Sequence, residues 1–238
     1  MHILDQIVFI DIETVSAKAT FEELDERFQT LWALKHKQLF AKDYLSPEDS
    51  YPNKAAIYAE YGKVITVGMA YLVKNENKEW TLKGTVLKND NEHELLSESV
   101  IHLNKLFKRG KKILCAHNGK EFDFPYLCRR ILANRLTLPT VLDIQGKKPW
   151  EISHIDTLEM WKFGDRKAYT SLDLLAAVFN IDTSKSTLDG SKVGEAYYKF
   201  QQLDEIAEYC LQDVIVLAQI YLALQGFDAI NKENIICT

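Results

Sequence analysis

Apolar positions alternate with other residues, or run on unbroken, in three early stretches. Residues 6–11 form a short apolar run that predicts a first strand. Residues 63–73 predict a second and residues 78–88 a third. The turn Asn75-Glu76-Asn77 between those two makes a hairpin. The period then changes. Leu95, Leu96, Val100, Leu103, Leu106 and Phe107 recur at helical spacing over 92–108, after Asp90 or Asn91 as a cap and before a closing Arg109-Gly110-Lys111-Lys112. Residues 113–116 predict a fourth strand and 152–157 a fifth. A helix is expected to start near Pro125, another to run from Thr170 or Ser171 to Phe179, and two more to cover about 192–201 and 203–224.

Residues 17–60 interrupt this order. Phe21, Leu24, Phe28, Leu31, Trp32, Leu34 and Leu39 suggest one or two amphipathic helices. Pro47, Pro52 and Asn53 suggest a loop over 42–60, with a short helix near 55–58. The tail after Gly226 carries no readable pattern. Strand, insertion, hairpin, helix, strand, helix, strand, helices is the order of an α/β chain. It suits a mixed five-stranded sheet flanked by helices, of the ribonuclease H-like kind. At 238 residues the chain is expected to be a single domain over 1–238, with 17–60 as a helical and loop insertion.

Two carboxylates change this picture. In Val8-Phe9-Ile10-Asp11-Ile12-Glu13-Thr14 a strand would point Asp11 and Glu13 to the same side. In the last helix, Asp213 lies on the apolar side, midway between Cys210 and Leu217. Tyr209, one turn earlier, shares its face. Asp123 stands between two aromatics in Phe122-Asp123-Phe124-Pro125. Each acid alone fits an ordinary role: a strand end, a helix entry, an edge-of-core carboxylate. Converging acids do not, because each pair at ~4 Å repels by roughly 4 kcal/mol at an effective dielectric of about 20. A domain has only about 5–15 kcal/mol of stability in total. Bound dications would remove that cost, and oxygen ligands favour Mg²⁺ or Mn²⁺.

Charge and composition set limits. A net charge of −5 argues against a charge-driven duplex coater. Lys111-Lys112, Arg129-Arg130, Lys147-Lys148 and Lys185 are expected to be solvated charge rather than a phosphate guide. Cys115, Cys128, Cys210 and Cys237 form no C-x-x-C pair and are expected to be buried, reduced thiols of a cytoplasmic protein. The first ten residues lack a basic leader, and no run reaches the ~18 apolar residues of a membrane span.

Asp11-Ile-Glu13-Thr14, Asn118-Gly-Lys-Glu-Phe-Asp123-Phe-Pro-Tyr-Leu127 and Tyr209-Cys-Leu-Gln-Asp213 resemble the three motifs of the DEDD superfamily of 3′–5′ exonucleases. The tyrosine four residues before the last acid resembles the tyrosine subclass. The wording is similar to the proofreading domain of family B DNA polymerases and to its stand-alone bacterial relatives. The resemblance extends from Val8 to about Tyr221, through Tyr61-Gly-Lys-Val-Ile-Thr-Val-Gly68, His154-Ile-Asp-Thr-Leu158 and Ser171-Leu-Asp-Leu-Leu175.

It implies a two-metal hydrolysis of phosphodiester bonds from single-stranded 3′ ends, DNA ahead of RNA, releasing nucleoside 5′-monophosphates. Asp11, Glu13, Asp123 and Asp213 would be the metal ligands, and Tyr209 would orient the attacking water. Thr14, Asn118 and Phe122 would contact substrate, although a turn residue and a core aromatic describe the last two equally well. Asp156 and His117 are expected to be structural, one a strand-end acid and the other a hydrogen-bonding loop residue. A polymerase or repair complex in trans is the implied partner. Two rivals stay open at this point: a catalytically silent nucleic-acid or partner-binding module, and another phosphotransfer enzyme on the same fold. No glycine-rich phosphate loop supports the latter.

Overall fold

The computed structural model describes residues 3–39, 45–165, 169–183, 188 and 190–238. Lys185, among the basic residues singled out above, lies outside them. The strands are β1 (Ile7–Ser16), β2 (Gly62–Lys74), β3 (Trp80–Lys88), β4 (Ile113–Ala116), β5 (Ile155–Asp156) and β6 (Ile235–Cys237). The helices are α1 (Glu26–Leu39), α2 (Pro47–Lys54), α3 (Glu92–Lys108), α4 (Asp123–Ala133), α5 (Thr157–Lys162), α6 (Leu172–Val178), α7 (Val193–Tyr198) and α8 (Leu203–Leu224).

The strands form one mixed sheet in the order β5-β4-β1-β2-β3-β6. β1, β2 and β3 are antiparallel neighbours, while β4 runs parallel to β1, β5 to β4 and β6 to β3. The expected sheet of five strands therefore has six. The sixth comes from the tail, where Ile235, Ile236 and Cys237 pair with Leu82, Lys83 and Gly84. Gln219 of α8 holds that tail from both sides of one residue: its Nε2 donates to Ile230 O and its Oε1 accepts from Ile230 N, each at 2.9 Å.

Alternation along β1 divides the core. Val8, Ile10 and Ile12 pack with Leu95, Leu96 and Leu103 of α3 and Phe124, Leu127 and Ile131 of α4. Ile7 and Phe9 face the other way, onto Val214, Leu217, Ala218 and Tyr221 of α8. Among the described residues α8 is the one helix long and apolar enough to cross a membrane. With 67% of that window buried, it is instead a core helix lying across the sheet.

Local chemistry sets the ends. Asn91 caps α3 by accepting from His93 N and Glu94 N. Gly110, with φ of 101°, lets the chain turn from α3 into β4. The fifth strand is shorter than the expected 152–157. Asp156 caps α5 through Leu158 N and Glu159 N, and so starts a helix where the strand would have continued. α4 begins at Asp123, two residues before Pro125.

The insertion has its own core. Trp32, Tyr51 and Ala55 are fully buried with Phe21, Leu24 and Tyr61. Where a loop was expected, α2 forms: Ser46 accepts from Asp49 N, and Pro47 fills the first helical position, where a missing N–H costs nothing. The described part of 17–41 forms one helix, α1. All four cysteines are free. Cys115 and Cys210 are buried, but Cys128 is only partly covered and Cys237 is exposed at the sheet edge, so the expectation of four buried thiols holds for two.

Candidate active site

Strand alternation puts Asp11 and Glu13 on the α8 side of β1, and α8 presents Asp213 to them. One carboxylate oxygen from each lies within 4.8 Å of the others. α8 comes this close because of Gly68. In the β1–β2 register Gly68 is the partner of Asp11, and a Cβ built on it would stand 2.9 Å from Cys210 O and 3.0 Å from Cys210 Sγ. A strand glycine without a side chain is what admits the helix backbone.

Asp123 approaches from the other flank. β4 pairs with β1 only as far as Phe9 and Cys115, so the next part of β1 has no neighbour on that side. Asp123, at the first position of α4, fills this gap. Its buried carboxylate accepts hydrogen bonds from the backbone N–H of Ile12 and from its own N–H. It stands outside the tight group of three but close enough to Asp11 to repel it.

Burial sets the protonation of this cluster. It raises Asp11 well above the usual carboxylate range, and the charges of Asp123, Glu13 and Asp213 push it further. Glu13 is raised by burial, then by Asp213 and Asp123. Burial pushes Asp123 up to about 7 against its two backbone hydrogen bonds, with Asp156 adding to the rise. Burial takes Asp213 to about 6, against the hydrogen bond from Tyr209 and with help from Asp173. Burial, then the charges of Asp213, Glu13 and Asp11, hold the Tyr209 phenol far above its ordinary value, so it stays protonated and acts as a donor. The Cys210 thiol is raised the same way and donates to Asp11 Oδ2 across 3.5 Å.

None of the four acids makes an ion pair with lysine, arginine or histidine among the described residues. Their partners are one another, a thiol, a phenol and backbone amides. Oxygen ligands that crowd together, repel and hold protons too tightly are a donor set that fits hard divalent cations such as Mg²⁺ or Mn²⁺.

The other expected residues are placed as follows. Thr14 donates from Oγ1 to Ala56 O at 3.0 Å. Asn118 is left-handed, with φ of 59°, and its N–H donates to Asp156 Oδ1 at 2.9 Å. It is thus the pivot of the loop from β4 to α4. Phe122 packs partly buried on Tyr126, with ring centroids 5.2 Å apart. Asp156 pins this loop through Asn118 N and Lys120 N, besides capping α5. His117 Nε2 donates to Thr170 O at 2.8 Å, and its Nδ1 sits 2.9 Å from Thr157 Oγ1. Burial lowers its pKa, so it is a neutral brace between β4 and the segment before α6.

Cys210, Gly68 and Asp173 lie in stretches quoted above but were given no role in the site from the sequence. Gly68 had a signal, a lone glycine inside a strand. Cys210 and Asp173 had none, since their nearness to the acids depends on how α8 and α6 lie.

Residues 57–234 match a family model described as a predicted 3′–5′ exonuclease related to the exonuclease domain of PolB. Asp123, Tyr209 and Asp213 fall within the match. Asp11 and Glu13 precede it and reach the same site through β1. The fold is similar to that of the family B DNA polymerase from the hyperthermophilic archaeon Pyrobaculum calidifontis, with a TM-score of 0.53 and 13% identity. The likeness covers 91% of this chain and 24% of that polymerase, so the chain spans about a quarter of it. At that identity the likeness shows the fold, an α/β ribonuclease H-like sheet flanked by helices. The chain belongs to the family of predicted 3′–5′ exonucleases related to the exonuclease domain of PolB.

Proposed function

We propose that this chain is a metal-dependent 3′–5′ exonuclease that hydrolyses single-stranded ends, DNA in preference to RNA, and releases nucleoside 5′-monophosphates. The observation that carries this reading is the convergence of Asp11, Glu13 and Asp213 within 4.8 Å, in a chain of an exonuclease family. Asp11, Glu13 and Asp213 would hold one divalent cation, and Asp11 with Asp123 a second. Bound there, Mg²⁺ or Mn²⁺ would acidify water and neutralise charge on the phosphodiester and its leaving 3′ oxygen.

The chain's own residues do the rest. Tyr209 keeps its proton and orients the attacking water by a hydrogen bond. The Ile12 N–H holds the Asp123 carboxylate toward β1, and the Cys210 thiol fixes the rotamer of Asp11. Thr14, Asn118 and Phe122 line the approach of the terminal nucleotide. In this reading the chain is one exonuclease domain over 1–238, elaborated by 17–60. It works in the cytoplasm, and it proofreads or trims in trans for a polymerase or repair complex.

A 5′-labelled single-stranded oligonucleotide, incubated with Mn²⁺, Mg²⁺ or EDTA, tests this. Stepwise shortening that needs the metal and disappears in Asp213→Ala is the expected result. Binding of the strand without shortening, by a folded protein that takes up Mn²⁺, would overturn it in favour of a silent binding module.

A further inference from the structure

Lys111-Lys112 and Lys147-Lys148 are distant in the chain, and the fold brings them together. Lys108, Lys111, Lys112 and Lys147 line one groove of about 480 Å³, with Asn104 and Ser153 as polar neighbours. From Asn104 to Lys112 the chain carries Lys105, Lys108, Arg109, Lys111 and Lys112 and no acid, in a protein of net charge −5. The C-terminal end of α3 favours cations in its last turn, which accounts for Lys105 and Lys108 but not for Lys112 or Lys147. Lys108, Lys112 and Lys147 are exposed, and among the described residues none of them is in an ion pair. Lys111 lies buried beneath, its Nζ donating to Leu72 O at 2.9 Å. Cations gathered in this way repel one another, and a bound anion would relieve that.

The groove has an aromatic at its rim. Lys147 and Ser153 both line it, and Trp150 stands between them in the chain, 77% exposed. The short 3-10 turn that carries the indole, Pro149–Glu151, is closed twice. Glu151 N–H donates to Lys148 O at 2.8 Å, and Glu151 Oε2 accepts from Lys148 N–H at 2.7 Å. Lys148 Nζ lies 5.3 Å from the ring centroid. An exposed tryptophan alone needs no explanation. One held in a tied turn beside a row of ammonium groups is the pairing that grips single strands: cations take the phosphates and the ring takes the face of a base. An acidic polypeptide would use the lysines and leave the ring idle. We propose that this groove is a second binding site, for single-stranded nucleic acid, with Lys108, Lys112 and Lys147 on the phosphates and Trp150 stacked on a base.

The groove is separate from the acids. Lys112 N–H donates to Gln6 O at the start of β1, and Asp11 lies roughly 15 Å further along that strand. Phe107 and Val141, which also line the groove, pack on the α3 and α4 side of the sheet, whereas Asp11 and Glu13 are on the α8 side. The site therefore needs neither the acids nor a metal, and it stands whether or not the chain cuts.

The test uses a fluorescent circular single-stranded oligonucleotide, which has no 3′ end, with the protein in EDTA and anisotropy as the readout. Wild type should bind it, more weakly as salt rises. Lys112→Gln and Lys147→Gln should each flatten the plot of log affinity against log salt by about 0.7, the weight of one phosphate contact on a single strand. Trp150→Ala should lose affinity about tenfold at every salt concentration, and Trp150→Phe should keep most of it. All four positions are exposed, so circular dichroism should stay that of wild type. A circle that wild type does not bind, or that Trp150→Ala binds as well as wild type, would overturn the proposal. So would displacement of the circle by polyglutamate as readily as by an unlabelled strand of equal charge, which would make the groove a site for acidic protein. Failure to shorten a linear strand with Mn²⁺ would overturn the exonuclease reading alone.

Discussion

Tyr209 and Asp213 lie one turn apart on α8 and share a hydrogen bond, from phenol to carboxylate. Deleting the hydroxyl in Tyr209→Phe leaves the acids and the helix in place. We expect kcat to fall about 10²-fold, in the range seen for a lost proton-handling group, with KM and Mn²⁺ binding little changed. Single-turnover rates and Mn²⁺ titration would check this. A loss of Mn²⁺ binding in Tyr209→Phe would show that the phenol supports the acids rather than the water.

The carboxylate cluster ties stability to pH and metal. Folded, Asp123 holds its proton to about 7 and Asp213 to about 6, and Asp11 and Glu13 are also raised. Unfolded carboxylates release theirs near pH 4. The folded chain therefore binds more protons, and this contribution to stability falls as pH rises from about 4 through 7. His117 and His154, lowered by burial, act in the opposite direction and lose stability as pH falls through about 6.5. Comparing wild type with Asp11→Asn isolates the acids. In EDTA at pH 8 the variant should melt several degrees higher, where ~1 kcal/mol corresponds to about 2–4 °C for a chain of this size. The gap should close toward pH 5. Mn²⁺ at pH 8 should raise the melting temperature of wild type and leave that of Asp11→Asn nearly unmoved.

Gly68→Ala tests the approach of α8. The added methyl meets the Cys210 backbone, which cannot step aside without moving Tyr209 and Asp213. Overpacking of this sort costs about 1–3 kcal/mol, which a folded chain can bear. A displacement of about 1 Å at the site costs on the order of 10² in rate. Near-native circular dichroism with activity down about 100-fold is expected, and full activity would show that the close contact is dispensable.

Glu92 tests stability away from the site. Its carboxylate accepts from Arg130 at 2.5 and 2.9 Å, from Asn134 at 2.9 Å and from Val64 N at 2.8 Å. Arg130 is only 17% exposed at its side chain, so Glu92→Ala strands a largely buried guanidinium. The expected cost is about 3–5 kcal/mol by denaturant unfolding.

The sequence showed these features unevenly, for physical reasons. β1 and β2 are visible because both of their faces are buried, which leaves near-continuous apolar runs, and Asp11 and Glu13 stand out as carboxylates two residues apart at the end of the first run. Asp213 is visible because helical spacing places it among apolar positions. β6 is not, since Ile236 and Cys237 are exposed and the strand is held by backbone pairing with β3, which leaves no apolar pattern. α2 was hidden by Pro47 and Pro52, two helix breakers, one at the first position of the helix and one inside it. The Cys210–Asp11 and Thr14–Ala56 contacts join distant segments, and no local pattern encodes them.

The acids come from widely separated parts of the chain. Cys210, on the same helix as Asp213, lies 199 residues from Asp11, which it touches. During synthesis, therefore, β1 emerges with half a site and waits for α8 to complete it. Such late, long-range closure is slow compared with local folding. A ribosome-bound fragment stopped between α4 and α8 carries Asp11, Glu13 and Asp123 without Tyr209 or Asp213. In the proposed reading, the cutting activity is withheld until nearly all of the sheet and its helices have been made.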